Sequence, residues 1–235
     1  MKRRDCFLAV LVLSLTAVCL RGSETASDLP KWESEVVAFE KADATNKPAK
    51  GGVEFIGSST IRRWTTLATD YRDQPVFNRG FGGSCISDST RYASRLIFPY
   101  EPRAIFFHAG ANDLSSGKTP EQVFADFKAF VSTVHAKLPD TDIYFISLRA
   151  CPARWKQREK ENELNQLISN FVQGKPHLRF IDTHDLSLGS DGQVRRELFV
   201  EDGVHFNDRG YRLLVERVRP YLNETSVSAR PISPH

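Results

Sequence analysis

The sequence predicts an α/β domain whose parallel sheet is covered by helices on both faces. Three observations lead there: apolar runs of strand length recur along the chain, stretches with helical periodicity lie between them, and turns rich in Gly, Asn and Ser follow the apolar runs. The chain has 235 residues, 40% hydrophobic and 26% charged, the balance of a globular protein. Disordered, collagenous and multi-span membrane chains are excluded by that balance. The length suits one enzyme-sized domain better than two.

The N-terminus comes first. Lys2, Arg3 and Arg4 precede an apolar run from Cys6 to Leu20, closed by Arg21 and a polar stretch. This is the pattern of a secretory signal peptide, and the run is shorter than the roughly 20 residues that span a bilayer. Residues 1–22 are therefore read as a removable leader, the protein as secreted or periplasmic, and no stable membrane span is expected. Ala17-Val18-Cys19 offers small residues for cleavage, with lipidation of Cys19 as the lesser alternative. The leader holds four of the cations (Lys2, Arg3, Arg4, Arg21) and one anion (Asp5), so its loss takes the formal net charge from +3 to zero. The basic balance thus belongs to an export signal. Elsewhere cations interleave with acids, as in the run from Lys156 to Glu161, which reads as a solvated helix face, and no nucleic-acid partner is expected.

Residues 23–50 form an N-terminal helix and linker: Leu29-Pro30 opens a helix with Trp32, Val36 and Phe39 on one face, before breakers at Asn46-Lys47-Pro48 and Gly51-Gly52. The main domain follows over 51–222. Its strands are expected at Val53–Ile56, Pro75–Asn78, Ala104–Phe107, Ile143–Ile146 and Leu178–Ile181. The clearest helix opens at Thr119-Pro120-Glu121-Gln122, a capping box with proline at the first helical position, and carries Val123, Phe124, Phe127, Phe130, Val131 and Val134 on one face. Further helices run roughly from Lys156 to Val172 and from Asp208 to Val218, and 223–235 is a polar tail. After loss of Cys6 and Cys19 with the leader, Cys85 and Cys151 remain, either as one bridge or as two unpaired thiols. The usual zinc motifs are missing, and no metal site is expected.

Residues suited to chemistry follow the strand ends, where an open parallel sheet borders its ligand crevice. Ser59 comes just after the first strand, at the start of a helix, and is a candidate nucleophile. Asp202-Gly203-Val204-His205 places a carboxylate three residues before a histidine, so one loop supplies a base and the group that orients it. The backbone of Gly83 and the side-chain amide of Asn112 are candidate donors to an oxyanion. Each feature alone also fits an ordinary turn or helix cap. Together, in this order and each beside a strand end, they suit acyl transfer.

At these residues the sequence resembles the SGNH hydrolases, also called GDSL esterases and lipases. Gly57-Ser58-Ser59 matches the nucleophile block, Gly83 and Asn112 the oxyanion blocks, and Asp202-x-x-His205 the last block. The segments Phe55–Ser59 and Asn78–Ser84 are similar to the branch of platelet-activating-factor acetylhydrolase catalytic subunits. The resemblance implies a three-layer α/β/α sandwich, flavodoxin-like, with a five-stranded parallel sheet in the order 2-1-3-4-5. It also implies a cofactor-free serine esterase acting through an acyl-enzyme on Ser59, with His205 and Asp202 completing the triad and Ser59 N–H, Gly83 and Asn112 forming the oxyanion hole. Short acyl or acetyl esters, acetylated saccharides among them, are the expected substrates. Lysophospholipid or thioester hydrolysis, or a non-catalytic secreted carbohydrate-binding role, are the alternatives. One departure is Ser58, which stands where the family has aspartate. Arg154 and Trp155, after the fourth strand, are candidates for substrate contact.

Overall fold

The computed structural model describes residues 31–228, with side chains through Glu224. The leader, the opening of the first helix at Leu29-Pro30 and the chain from 229 on lie outside the described residues. Five strands, β1 (Val53–Gly57), β2 (Val76–Gly80), β3 (Ala104–His108), β4 (Asp142–Ile146) and β5 (Leu178–Ile181), form one parallel sheet in the order β2-β1-β3-β4-β5. The chain leaves β1 to one side for β2 and returns to the other for β3. The crevice at that reversal opens at the carboxyl ends of β1 and β3.

The strands keep the predicted cores, with shifted ends. β2 starts at Val76 because Pro75 has no N–H to give the ladder, and its carbonyl instead accepts from Val53 N–H at 3.0 Å. β1 runs one residue further, onto Gly57, whose φ of +140° and closeness to His108 (a Cβ would lie 2.1 Å from the His108 carbonyl oxygen) admit only glycine. The chain turns sharply there.

Alternation along the strands fills both faces. Phe55, Phe106 and Tyr144 lie in register across β1, β3 and β4 and stack with centroids 4.8 and 4.6 Å apart, under α2 (Ser59–Arg62), α3 (Leu67–Asp70) and α9 (Asp208–Ser228). The opposite face buries Ile56, Ile105, Phe107 and Phe145 against α7 (Pro120–His135) and α8 (Arg158–Val172), with α1 (Glu33–Asn46), α4 (Ile86–Arg91) and α5 (Ala93–Leu96) continuing that layer. The Thr119 capping box of α7 forms as expected. A short α6 (Ala111–Ser115) follows β3.

Two expectations need correction. α9 does not stop near Val218 but continues through Pro220 to Ser228, because Leu222 is still buried and Tyr221 still packs on Tyr144, while the carbonyl that proline cannot serve belongs to exposed Glu216. Glu161 is not part of a solvated face: it lies on the buried stripe of α8 with Leu164, Asn165 and Ile168 and is 2% exposed. The residues before Arg158 form a 3₁₀ turn over Pro152–Gln157.

α1 is joined to the sheet by charge as well as by packing. Asp43 takes both oxygens to Arg79 of β2 at 2.8 Å and accepts from Tyr100 Oη, and Arg79 stacks on Phe39, Phe77 and Tyr100. No helix among the described residues is long and apolar enough to cross a membrane.

Candidate active site

Ser59 is the first residue of α2, directly beyond the Gly57 turn, where its amide has no intrahelical acceptor. Its hydroxyl donates to His205 Nε2 at 2.8 Å, and the His205 Nδ1–H donates to Asp202 Oδ2 at 2.7 Å. The tautomer follows from the partners, since a carboxylate only accepts. The Asp202 loop is locally self-consistent: Oδ1 accepts from Val204 and His205 N–H at 2.9 and 3.0 Å, and Gly203 takes φ +61° to close the turn. Partial burial pushes the Asp202 carboxyl up, but the two amides and the imidazole outweigh it and hold the group well below the usual carboxylate range. His205 therefore keeps an ionised partner into acid solution.

The donors sit on the neighbouring strand ends. Gly83, at φ +75°, lies in a loop fixed by Ser84 Oγ, which donates to the Phe81 carbonyl at 2.9 Å, and by Glu35 of α1, which accepts from Gly82 N–H at 3.3 Å. Asn112 is the second residue of α6, held beside α4 by its neighbour Asp113, which accepts from Ile86 N–H at 3.2 Å. The Asn112 amide donates to the Ser84 carbonyl at 3.0 Å and to Ser58 Oγ at 3.3 Å. Its oxygen accepts from Arg154 Nη2 at 3.0 Å. A guanidinium has no acceptor, so Arg154 settles which end of this amide faces it and turns the NH₂ toward Ser58 and Ser84.

A cavity of about 40 Å³ adjoins Ser59, and Asn112, Val204 and Arg154 are among its walls. Trp155 is not; its ring lies under the Arg158 guanidinium, 4.4 Å from ring centroid to Cζ. The structure thus brings together Ser59, Asp202, His205, Asn112 and Arg154, places Gly83 on the adjoining loop, and leaves Trp155 packed under Arg158 at the start of α8. Sequence reading missed His108 and Glu161 as cavity residues, and placed the loop from Arg149 at the crevice without singling out Arg149 itself. Helical spacing carried the signal for Glu161, three and seven residues before Leu164 and Ile168. Cys85 and Cys151 are free thiols, and burial pushes both up, Cys85 to about 11. Among the described residues no cluster of three or more His, Cys, Asp or Glu could hold a metal ion.

A Ser–His–Asp hydrogen-bonded chain at a sheet edge, with amide donors beside the serine, is equipped for attack on an acyl carbon. Comparison with known proteins agrees. Residues 51–213 match the GDSL-like lipase/acylhydrolase family. Over 180 residues the chain is 26% identical to platelet-activating factor acetylhydrolase IB subunit alpha1 of Bos taurus, covering 72% of this chain and 73% of that one. A GDSL-like lipase from Bacteroides thetaiotaomicron superposes with a TM-score of 0.65 at 14% identity, over 81% of this chain and 98% of that one. A carbohydrate esterase family 3 protein from Talaromyces cellulolyticus does so with a TM-score of 0.62 at 15% identity, over 76% and 99%. The chain belongs to the GDSL-like lipase/acylhydrolase family, the SGNH hydrolases, and is a hydrolase of ester bonds.

Proposed function

We propose that this protein is an exported serine esterase for short-acyl esters, with Ser59 as nucleophile. Ser59 Oγ bonds to the ester carbonyl carbon as His205 Nε2 takes its proton, and Asp202 stabilises the imidazolium. The carbonyl oxygen becomes an oxyanion beside the N–H groups of Ser59 and Gly83 and the Asn112 amide, where it competes with Ser58 Oγ for the longer of the amide's bonds. Collapse breaks the bond to the alcohol, which leaves with the proton from His205. Water, deprotonated by His205, then cleaves the acyl-enzyme, and Ser59 recovers its proton.

The observation that carries this reading is the pair of bonds joining Ser59, His205 and Asp202 at 2.8 and 2.7 Å. Size supports the short acyl group: a cavity of about 40 Å³ admits roughly three water-sized groups, against the many methylenes of a lysophospholipid chain. A saccharide on the alcohol side is suggested by the kind of substrate named for the Talaromyces carbohydrate esterase and for a Geobacillus stearothermophilus acetylxylan esterase of similar fold, with a TM-score of 0.60. Export is proposed from the Lys2–Arg4 and Cys6–Leu20 pattern.

The test is Ser59→Ala. Turnover of a p-nitrophenyl acetate or acetylated oligosaccharide is expected to fall by about 10³-fold or more with an unchanged thermal unfolding midpoint. Activity retained in a folded variant excludes Ser59 as nucleophile.

A further inference from the structure

We propose that Glu35 of α1 is a positioning residue for the oxyanion hole: by accepting from Gly82 N–H and pairing with Arg62, it keeps the Gly83 donor in place relative to Ser59. The inference rests on the reading of Ser59 as nucleophile and adds a part for a helix that precedes the residues matching the family, 51–213.

Both ends of the loop after β2 are held from within the molecule. Phe81 is wholly buried and its N–H donates to the Gly57 carbonyl at 3.0 Å, while the Ser84 carbonyl accepts from the Asn112 amide at 3.0 Å. Between them stand Gly82 and Gly83, which have no side chains to pack, and such a pair leaves the backbone free to swing. What steadies it comes from α1 and α2. Glu35 Oε2 accepts from Gly82 N–H at 3.3 Å and lies 3.4 Å from Arg62 Nε, so one carboxylate oxygen joins the loop to the short helix that opens with Ser59. The three atoms nearest to where a Gly82 Cβ would be, at 2.4 to 3.3 Å, all belong to Arg62. The Trp32 ring lies 3.4 Å from the corresponding point on Gly83 and meets the Phe81 ring edge-on, with centroids 6.1 Å apart.

Gly83 N–H itself has no acceptor among the described residues and is left for the substrate. A donor so placed meets a charge that exists only in the transition state, so misplacing it costs rate rather than affinity. α1 is also tied down away from this contact, by Arg95 to Glu33 and Glu40 at 2.7 Å and by Arg79 to Asp43 at 2.8 Å, so the helix stays docked when Glu35 is changed.

The test measures kcat and KM for p-nitrophenyl acetate, with the thermal unfolding midpoint, on the full-length protein as expressed. Acylation and deacylation both pass through an oxyanion, so Glu35→Ala is expected to lower kcat about tenfold with KM within about twofold. Glu35→Gln, which keeps an acceptor oxygen for Gly82, is expected to retain roughly half of the wild-type kcat or more. Glu40→Ala removes a pair on the same helix and is expected to leave kcat unchanged. Glu35→Met, which keeps the side chain's length without the acceptor, carries the same expectation should Glu35→Ala not fold; if neither folds, Glu35 is structural and the proposal falls. An unchanged kcat in the folded variant, or a loss as large in Glu35→Gln or in Glu40→Ala, overturns the proposal and leaves Ser59 in its role. Wild-type turnover that persists in Ser59→Ala overturns the reading of Ser59, and the inference with it.

Discussion

Arg154 shows how much one side chain can settle. Its 3.0 Å bond to Asn112 Oδ1 leaves the amide only one orientation, the one that faces hydrogens toward the loop of Ser58 and Ser84. It acts through Asn112 and is a positioning residue. Arg154→Met is expected to lower kcat about tenfold with little change in KM, and to have no further effect when Asn112 is already alanine; steady-state kinetics on the double-mutant cycle check this. Additive losses would place Arg154 on the substrate instead. Asp202→Asn is expected to reduce kcat by about 10⁴-fold, because an amide can donate to Nδ1 and select the wrong tautomer. At this scale the candidate nucleophile, base, orienter and oxyanion donors were legible, because Ser59, Gly83 and Asn112 each follow a strand end and Asp202 and His205 share one short turn before α9. Arg149 and Glu161 were not singled out, since an arginine in a loop and a glutamate in a charged run usually face water.

Elements show the same division between pattern and context. The five strands and the body of α7 and α8 could be read from periodicity, while their ends followed local events: Pro75 withholding a donor from β2, and Leu222 drawing α9 on past Pro220. α1 carries a contribution that periodicity hid. Its Glu35 holds Gly82 and its Trp32 ring lies against Gly83, within 3.4 Å of where a Cβ would be, so the helix bears directly on the oxyanion loop. Its anchor is the Asp43–Arg79 pair, with side chains 11% and 7% exposed. Removing one partner of a buried pair strands the other charge. Asp43→Ala is expected to destabilise by about 3 kcal/mol in urea unfolding, and a loss under about 1 kcal/mol would show that α1 is held by its apolar face alone.

Across the whole molecule, the sheet reversal between β1 and β3 gathers five segments distant in sequence, those of Ser59, Gly83, Asn112, Arg154 and Asp202–His205, onto one edge, and buried acids in the fold tie stability to pH. Glu54 of β1 is wholly buried with neither carboxyl oxygen partnered among the described residues, and burial pushes it well up against the nearby Arg79. Burial also pushes Glu161 up, from an ordinary 4.5 to about 7, against Gln157, Arg154 and Arg149. Both bind protons more tightly folded than unfolded, so their contribution is complete below about 4.5 and is lost as pH rises through the folded values. The unfolding midpoint is expected to fall between about pH 4.5 and 7 from Glu161 alone, and Glu161→Gln should flatten that slope; an unchanged slope would mean that Glu161 ionises as freely as an exposed acid. The central claim, that this architecture activates Ser59, is tested most directly by a fluorophosphonate followed by peptide mass spectrometry. A single adduct on Ser59, formed in step with loss of esterase activity and much slower in His205→Ala, is predicted; esterase activity that survives full exposure to the reagent with Ser59 unmodified would contradict it.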